Sequence, residues 1–201
     1  MNVAAASGLP RLPTRDELAS HTVEVLNRGN TWNPDVLLVE LDGERMVVKD
    51  FHPRPFHVRE TAGRFVTRRE AHAWRALDGD PVVPRCLGCI DAYALVLEYR
   101  PGRHMSRRSA THIPPEFADR LEAALDEMHR RGVVHLDLSH RSNVLADAGG
   151  APILIDFGSA IAFRPGGLGA RVLLPLLARL DRRALRKWRR KLAGYHRDAP
   201  A

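Results

Sequence analysis

VVHLDLSHRSNVLADAGGAPILIDFGS, residues 133–159, is the stretch from which the rest of the chain is read. It carries three side chains that bind divalent metal or accept a proton: Asp137, Asn143 and Asp156. Asp137 and Asn143 flank a polar loop, and Asp156 ends the apolar run Ile153-Leu154-Ile155. Asp147-Ala148-Gly149-Gly150 lies between that run and Val144-Leu145-Ala146, the pattern of a hairpin with a glycine-containing turn. Such a hairpin sets the loop before its first strand beside the loop after its second. It predicts that Asp137, Asn143 and Asp156 converge although they lie far apart in sequence.

Outward from this stretch, 201 residues suffice for one sizeable core or two small lobes. A hydrophobic content of 44% with 27% charged residues is that of an ordinary globular protein. The net charge of +7 points to an anionic partner: nucleotide phosphates, an anionic glycolipid, a membrane surface or nucleic acid. Cys86 and Cys89 cannot build a disulfide framework. Their C-x-x-C spacing is half of a zinc site with no second cysteine pair to complete it, which favours reduced structural thiols. No apolar run is long enough to span a bilayer. The N-terminal residues lack a basic start followed by an apolar run, so no secretory signal is expected and the cytoplasm is the default location.

Taken in order, residues 1 to about 13 read as a loose lead-in, and Thr14 with Glu17 has capping-box spacing for a short helical turn. Thr22–Leu26, Val36–Leu41 and Arg45–Phe51 read as strands, the last two joined by Asp42-Gly43, a strong hairpin signal. A Pro- and Arg-rich connection follows over 52–63, then a helix over Arg64–Leu77 with Val66, Ala73, Trp74 and Leu77 on one face. Glu70 falls on that same face, and a buried carboxylate requires a partner; Lys49, near the end of the third strand, is the candidate. Val82–Ile90 and Tyr93–Tyr99 read as two more strands, ended by the turn signal Arg100-Pro101-Gly102. Pro114-Pro115 opens a helix with Phe117, Leu121, Ala124, Leu125 and Met128 on its core face, closed by Gly132. After a Pro/Gly-rich link over 164–169 comes a basic helix whose Leu177, Leu180, Ala184, Trp188 and Leu192 trace one face. This helix reads either as packed with a solvated charged face or, over 171–193, as a surface lying on an anionic membrane.

His135-Leu-Asp137 followed by Asn143, then Asp156-Phe157-Gly158, resembles the catalytic loop and metal-binding motif of protein-kinase-like phosphotransferases. The resemblance covers roughly residues 22 to 160. It implies one α+β domain over 1–201 with a two-lobed kinase-like fold. An N-terminal lobe over 1–100 would hold an antiparallel sheet with one helix, and 101–201 a reduced, mainly helical lobe. It also implies transfer of the γ-phosphate of ATP to a hydroxyl acceptor, with Mg²⁺, or Mn²⁺, as the ion. Asp137 would accept or orient the acceptor proton, and Asn143 and Asp156 would hold metal. Lys49 would neutralise the phosphates, fixed by Glu70, while backbone groups near Glu98 and Tyr99 would hold the adenine.

Four departures narrow the resemblance. Arg28-Gly29-Asn30-Thr31-Trp32 keeps one glycine where the family's phosphate loop has three. Asn143 lies six positions after Asp137, one more than usual, and Leu136 replaces the usual Arg of the H-R-D motif. Only 43 residues follow Gly158, with no A-P-E motif and no full peptide-docking platform. The pattern is more similar to small atypical kinases, the RIO-like proteins and the bacterial lipopolysaccharide-core kinases. Those relatives imply a protein Ser/Thr or a glycolipid sugar as acceptor, on the cytoplasmic side and peripheral to the inner membrane in the second case. Two rivals stand beside this reading. One is a pseudokinase that binds nucleotide or acts as a scaffold without turnover. The other is a nucleic-acid-binding protein, against which an aromatic content of 6% with no evident base-stacking platform argues.

Overall fold

The computed structural model describes residues 10–104 and 113–197. The chain is α+β and divides into two compact units: residues 1–71 with 85–99, and residues 72–84 with 100–201.

The first unit is built on a five-stranded antiparallel sheet. Its strands are β1 (Thr22–Asn27), β2 (Asp35–Leu41), β3 (Glu44–Asp50), β4 (Cys86–Cys89) and β5 (Ala94–Glu98), in the order β1-β2-β3-β5-β4. The Asp42-Gly43 hairpin forms as expected. Both residues take left-handed conformations (φ 53° and 80°), matching the right-handed twist of the flanking strands. Leu41 then pairs with Glu44, and from that register Lys49 pairs with Val36 on one side and Leu95 on the other. β3 is therefore central, and its lysine stands in the most constrained part of the sheet. One face buries Val39, Leu41, Met46, Val48, Ala94 and Val96 under Leu18 of α1 (Glu17–His21). The Thr14–Glu17 capping box forms in the turn leading into α1: the Glu17 carboxylate accepts the Thr14 N–H, and the Thr14 hydroxyl accepts the Glu17 N–H. Residues 1–9 of the expected lead-in lie outside the described residues.

Two elements differ from the sequence reading. The connection over 52–63 is largely helical, with α2 (Phe56–Val58) and a π turn (Arg59–Gly63) running into α3 (Arg64–Ala76). Pro55 stands at its N-cap, where a proline initiates a helix. The strand expected over Val82–Ile90 shrinks to β4, since Pro81 and Pro84 cannot donate to a ladder.

The second unit holds β6 (Arg103–His104), α4 (Phe117–Arg130), β7 (Val133–Val134), β8 (Val144–Ala146), β9 (Pro152–Leu154), β10 (Ile161–Ala162) and α5 (Leu168–Arg197). The α4 stripe is buried as expected, and Gly132 ends it at φ 83°. β8 and β9 form the anticipated hairpin, with Leu145 opposite Ile153, and β6 adds to its edge. Trp74, from the end of α3 that belongs to this unit, packs edge-on against Phe157 with ring centroids 4.6 Å apart. Neither cysteine is in a disulfide. Among the described residues no helix is long and apolar enough to cross a membrane.

Candidate functional site

In the first unit, Lys49 Nζ donates to Glu70 Oε1 at 2.6 Å. The two side chains are 10% and 2% exposed. β3 delivers the ammonium from the sheet, and α3 delivers the carboxylate from the inward face on which the sequence placed it. The lysine is thus held by a buried charge-assisted hydrogen bond, which fixes its direction more firmly than its four-carbon stem would allow alone.

The segment Arg28–Trp32 departs further from a phosphate loop than its lost glycines suggest. The Gly29 N–H is already spent on Asp35 Oδ1 at 2.9 Å, and Arg54 donates to the Gly29 carbonyl at 3.2 Å. Arg54 also pairs with the buried Asp35. A Cβ at Gly29 would lie 2.2 Å from the Asn33 carbonyl oxygen, so the glycine serves a tight turn. Glu98 closes β5; its N–H donates to the Arg85 carbonyl, and its carboxylate accepts from the Arg85 N–H, each at 2.9 Å. Tyr99, which follows, is half-buried.

In the second unit the loop before β8 folds Asn143 onto Asp137, and the hairpin sets the backbone of Ile155 beside that of Asn143. Asn143 Nδ2 donates to the Asp137 carbonyl at 2.9 Å and to Asp137 Oδ2 at 3.0 Å. The extra residue between them is absorbed by a 3₁₀ turn over Arg141–Asn143. The Ile155 N–H donates to the Asn143 carbonyl at 3.0 Å, so Asp156 follows directly on a residue bonded to Asn143. Asn143 is buried, Asp137 half-exposed and Asp156 exposed. Asp156 has φ 63° and its carboxylate accepts the Gly158 N–H, the local hydrogen bond that lets an aspartate hold a left-handed conformation.

His135 joins the two halves. Its Nε2–H donates to the Ile155 carbonyl at 3.1 Å, and its Nδ1 accepts the Asp137 N–H at 3.4 Å. One fully buried ring therefore fixes the backbone on either side of the site.

Two residues that support this loop escaped the sequence reading. Asp181 of α5, 1% exposed, accepts from the His135 N–H (2.9 Å), the Leu136 N–H (2.9 Å) and His129 Nε2 (3.0 Å). Trp188 Nε1 donates to the Leu138 carbonyl at 2.9 Å. The sequence placed Trp188 on a packing face without a role and Leu180 on that same face. Leu180 is instead exposed, and Asp181 takes the inward position next to Ala184, Leu185 and Trp188. The signal was present: Asp181 is the only acid in a helix of arginines, and it lies four residues after Leu177 and seven before Trp188. Leu136, held by that carboxylate, has φ 67°, a strained conformation for a side chain without a local hydrogen bond.

Beside the loop lies a depression of about 280 Å³ lined by Leu136, Leu138 and Ser139 and, from α5, by Leu180, Arg183, Ala184 and Lys187. The positive charge here is concentrated. Partial burial, then the nearby Arg141 and Lys187 cations, pull the Lys191 ammonium below its ordinary value.

The arrangement offers a half-exposed carboxylate, Asp137, held by the amide nitrogen of buried Asn143, and an exposed carboxylate, Asp156, at the end of the hairpin. Among the described residues no cluster of three His, Cys, Asp or Glu could hold a metal by itself. Oxygen donors of this kind would suit a hard ion such as Mg²⁺, and the Asn143 amide oxygen accepts the Ser142 hydroxyl at 3.0 Å. A transition-metal centre would need imidazole or thiolate ligands that are not gathered here. No protein-family model matches the chain, and no curated protein matches it.

Proposed function

We propose that the chain is an ATP-dependent phosphotransferase of the protein-kinase-like kind, passing the γ-phosphate to an acceptor hydroxyl. In this reading its two units correspond to that family's two lobes. The observation that carries the proposal is the Asp137–Asn143 hydrogen bond with Asp156 one residue beyond Ile155, which is itself bonded to Asn143. A solvent-accessible carboxylate held by a buried amide is what a hydroxyl proton requires; a turn-capping aspartate has no need of that support. Asp137 orients the acceptor hydroxyl and takes its proton, while Asn143 and Asp156 are the residues that would hold the ion. Bound Mg²⁺, or Mn²⁺, would neutralise the phosphate oxygens. Lys49, aimed by Glu70, holds the phosphates, and the backbone near Glu98 and Tyr99 holds the base. The acceptor, a protein side chain or a glycolipid sugar, enters at the depression beside Ser139, where Arg183 and Lys187 favour an anionic molecule. A requirement for ATP fits a cytoplasmic protein, free or peripheral on the cytoplasmic face of the inner membrane.

A second reading, a nucleotide-binding scaffold without turnover, is favoured by one observation: the Gly29 N–H is committed to Asp35 rather than left to grip phosphate. The two are separated by measuring ATP consumption and label transfer with protein, glycolipid and self as acceptors, for wild type, Asp137→Asn and Asp156→Asn. Turnover in wild type lost by at least about a hundredfold in both variants supports the enzyme. Equal, negligible rates with retained nucleotide binding select the scaffold.

A further inference from the structure

We propose that the outward ridge of α5 docks the protein on an anionic lipid bilayer, the N-terminal end of the helix entering the headgroup region first. Three turns of α5 contribute almost nothing to the core. Leu168, Val172, Leu173, Leu176 and Leu180 are all exposed, Leu168 to 79%. Leu168, Val172, Leu176 and Leu180 recur every four residues and so form one ridge, roughly 20 Å long at the helical rise. On the same face of the helix Arg179, Arg183, Arg186, Lys187 and Arg190 are exposed, four of the five beyond Leu180. None of these five has an acidic partner among the described residues. Arg182 and Arg189, by contrast, turn aside to Asp126 and to Asp119 and Glu122.

The charge decides what covers this face. A second copy would bring no counter-charge, because the only acid in α5 is the buried Asp181. An antiparallel pairing would bury arginines against leucines, and a parallel one would set arginines against arginines. Nucleic acid would answer the cations and leave the leucines wet. A bilayer with anionic headgroups satisfies both halves: acyl-chain boundary for the apolar turns, phosphates for the guanidinium groups that follow. Arginine stems can lie along the apolar surface with their heads at the phosphate level. With no bilayer-spanning helix among the described residues, this face lies on the membrane without crossing it.

The experiment is co-sedimentation of the full chain with two vesicle types, phosphatidylcholine alone and phosphatidylcholine with about one third phosphatidylglycerol. The variants are Val172→Asp with Leu176→Asp, and Arg179→Glu with Arg186→Glu. All four positions are exposed, and circular dichroism checks that each variant is folded. The expected result is binding to the anionic vesicles, weakened by salt, and at least about tenfold weaker in each variant. Binding to neither vesicle overturns the proposal, as does equal binding to both. Binding that both variants retain assigns it to another surface and also overturns it. A dimer lost in Val172→Asp with Leu176→Asp, without vesicle binding, shows that a second copy covers the ridge. None of these readouts depends on phosphotransfer.

Discussion

Replacing Asp181 by Ala should loosen the loop that carries Asp137 while leaving the first unit intact. The carboxylate accepts two backbone N–H groups, from His135 and Leu136, and one ring N–H from His129. Each buried donor left without a partner costs about 1–3 kcal/mol, so three give a gross loss of about 3–9 kcal/mol. Two terms offset this. The desolvation of a carboxylate that is 1% exposed is recovered, and Leu136 can leave its left-handed conformation, worth about 1–2 kcal/mol. The net expectation is a destabilisation of about 2–4 kcal/mol. Asp181→Asn keeps one acceptor and turns a donor toward an N–H, so it should fall at about 2 kcal/mol. Urea unfolding gives the equilibrium value, and amide exchange at His135 and Leu136 gives the local one. If the proposed function holds, turnover in Asp181→Asn falls while the KM for ATP stays near wild type, as suits a positioning residue. A loss below about 1 kcal/mol with unchanged exchange at both amides would refute the reasoning.

The buried ion pair gives a second test. Lys49→Met leaves the Glu70 carboxylate without its cation and should cost about 3–5 kcal/mol, whereas Lys49→Met with Glu70→Leu should return to within about 1 kcal/mol of wild type. ATP turnover should stay lost in both; recovery of turnover in the double variant would remove Lys49 from the phosphates. Acid stability supplies a third. Hydrogen bonds from Arg11 hold the Glu17 carboxyl down to about 2, against an ordinary 4.5, and Arg130 and Arg131 do the same for Glu127. Folded-state values below the unfolded ones mean that this stabilisation is complete above about pH 4.5 and is lost as the pH falls through about 2. Glu17→Gln and Glu127→Gln should each flatten the pH dependence of the unfolding midpoint across that window, and an unchanged slope would contradict the pairing.

Local chemistry was legible in the sequence wherever neighbours in the chain decide it. Asp42-Gly43, the Thr14–Glu17 box, the α4 stripe and the hairpin of β8 and β9 are short-range patterns, each set by backbone sterics or by one period of side chains. Glu70 was legible for a related reason: a charge on an apolar stripe announces a partner. The helix over 56–63 was not, because its composition is that of a connection and only its packing in the first unit decides between the two.

The sequence by itself determined most of the elements, that Lys49 and Glu70 belong together, and that Asp137 and Asn143 lie at the start of the hairpin. Tertiary structure alone decided what anchors that cluster. Asp181 and Trp188 meet the loop across more than forty residues, and no local pattern specifies a hydrogen bond to a backbone N–H so far away. It also decided that no residue of α5 from Leu168 to Leu177 is buried. Periodicity tells which residues share a face, and only the folded chain tells which face has something to lie against.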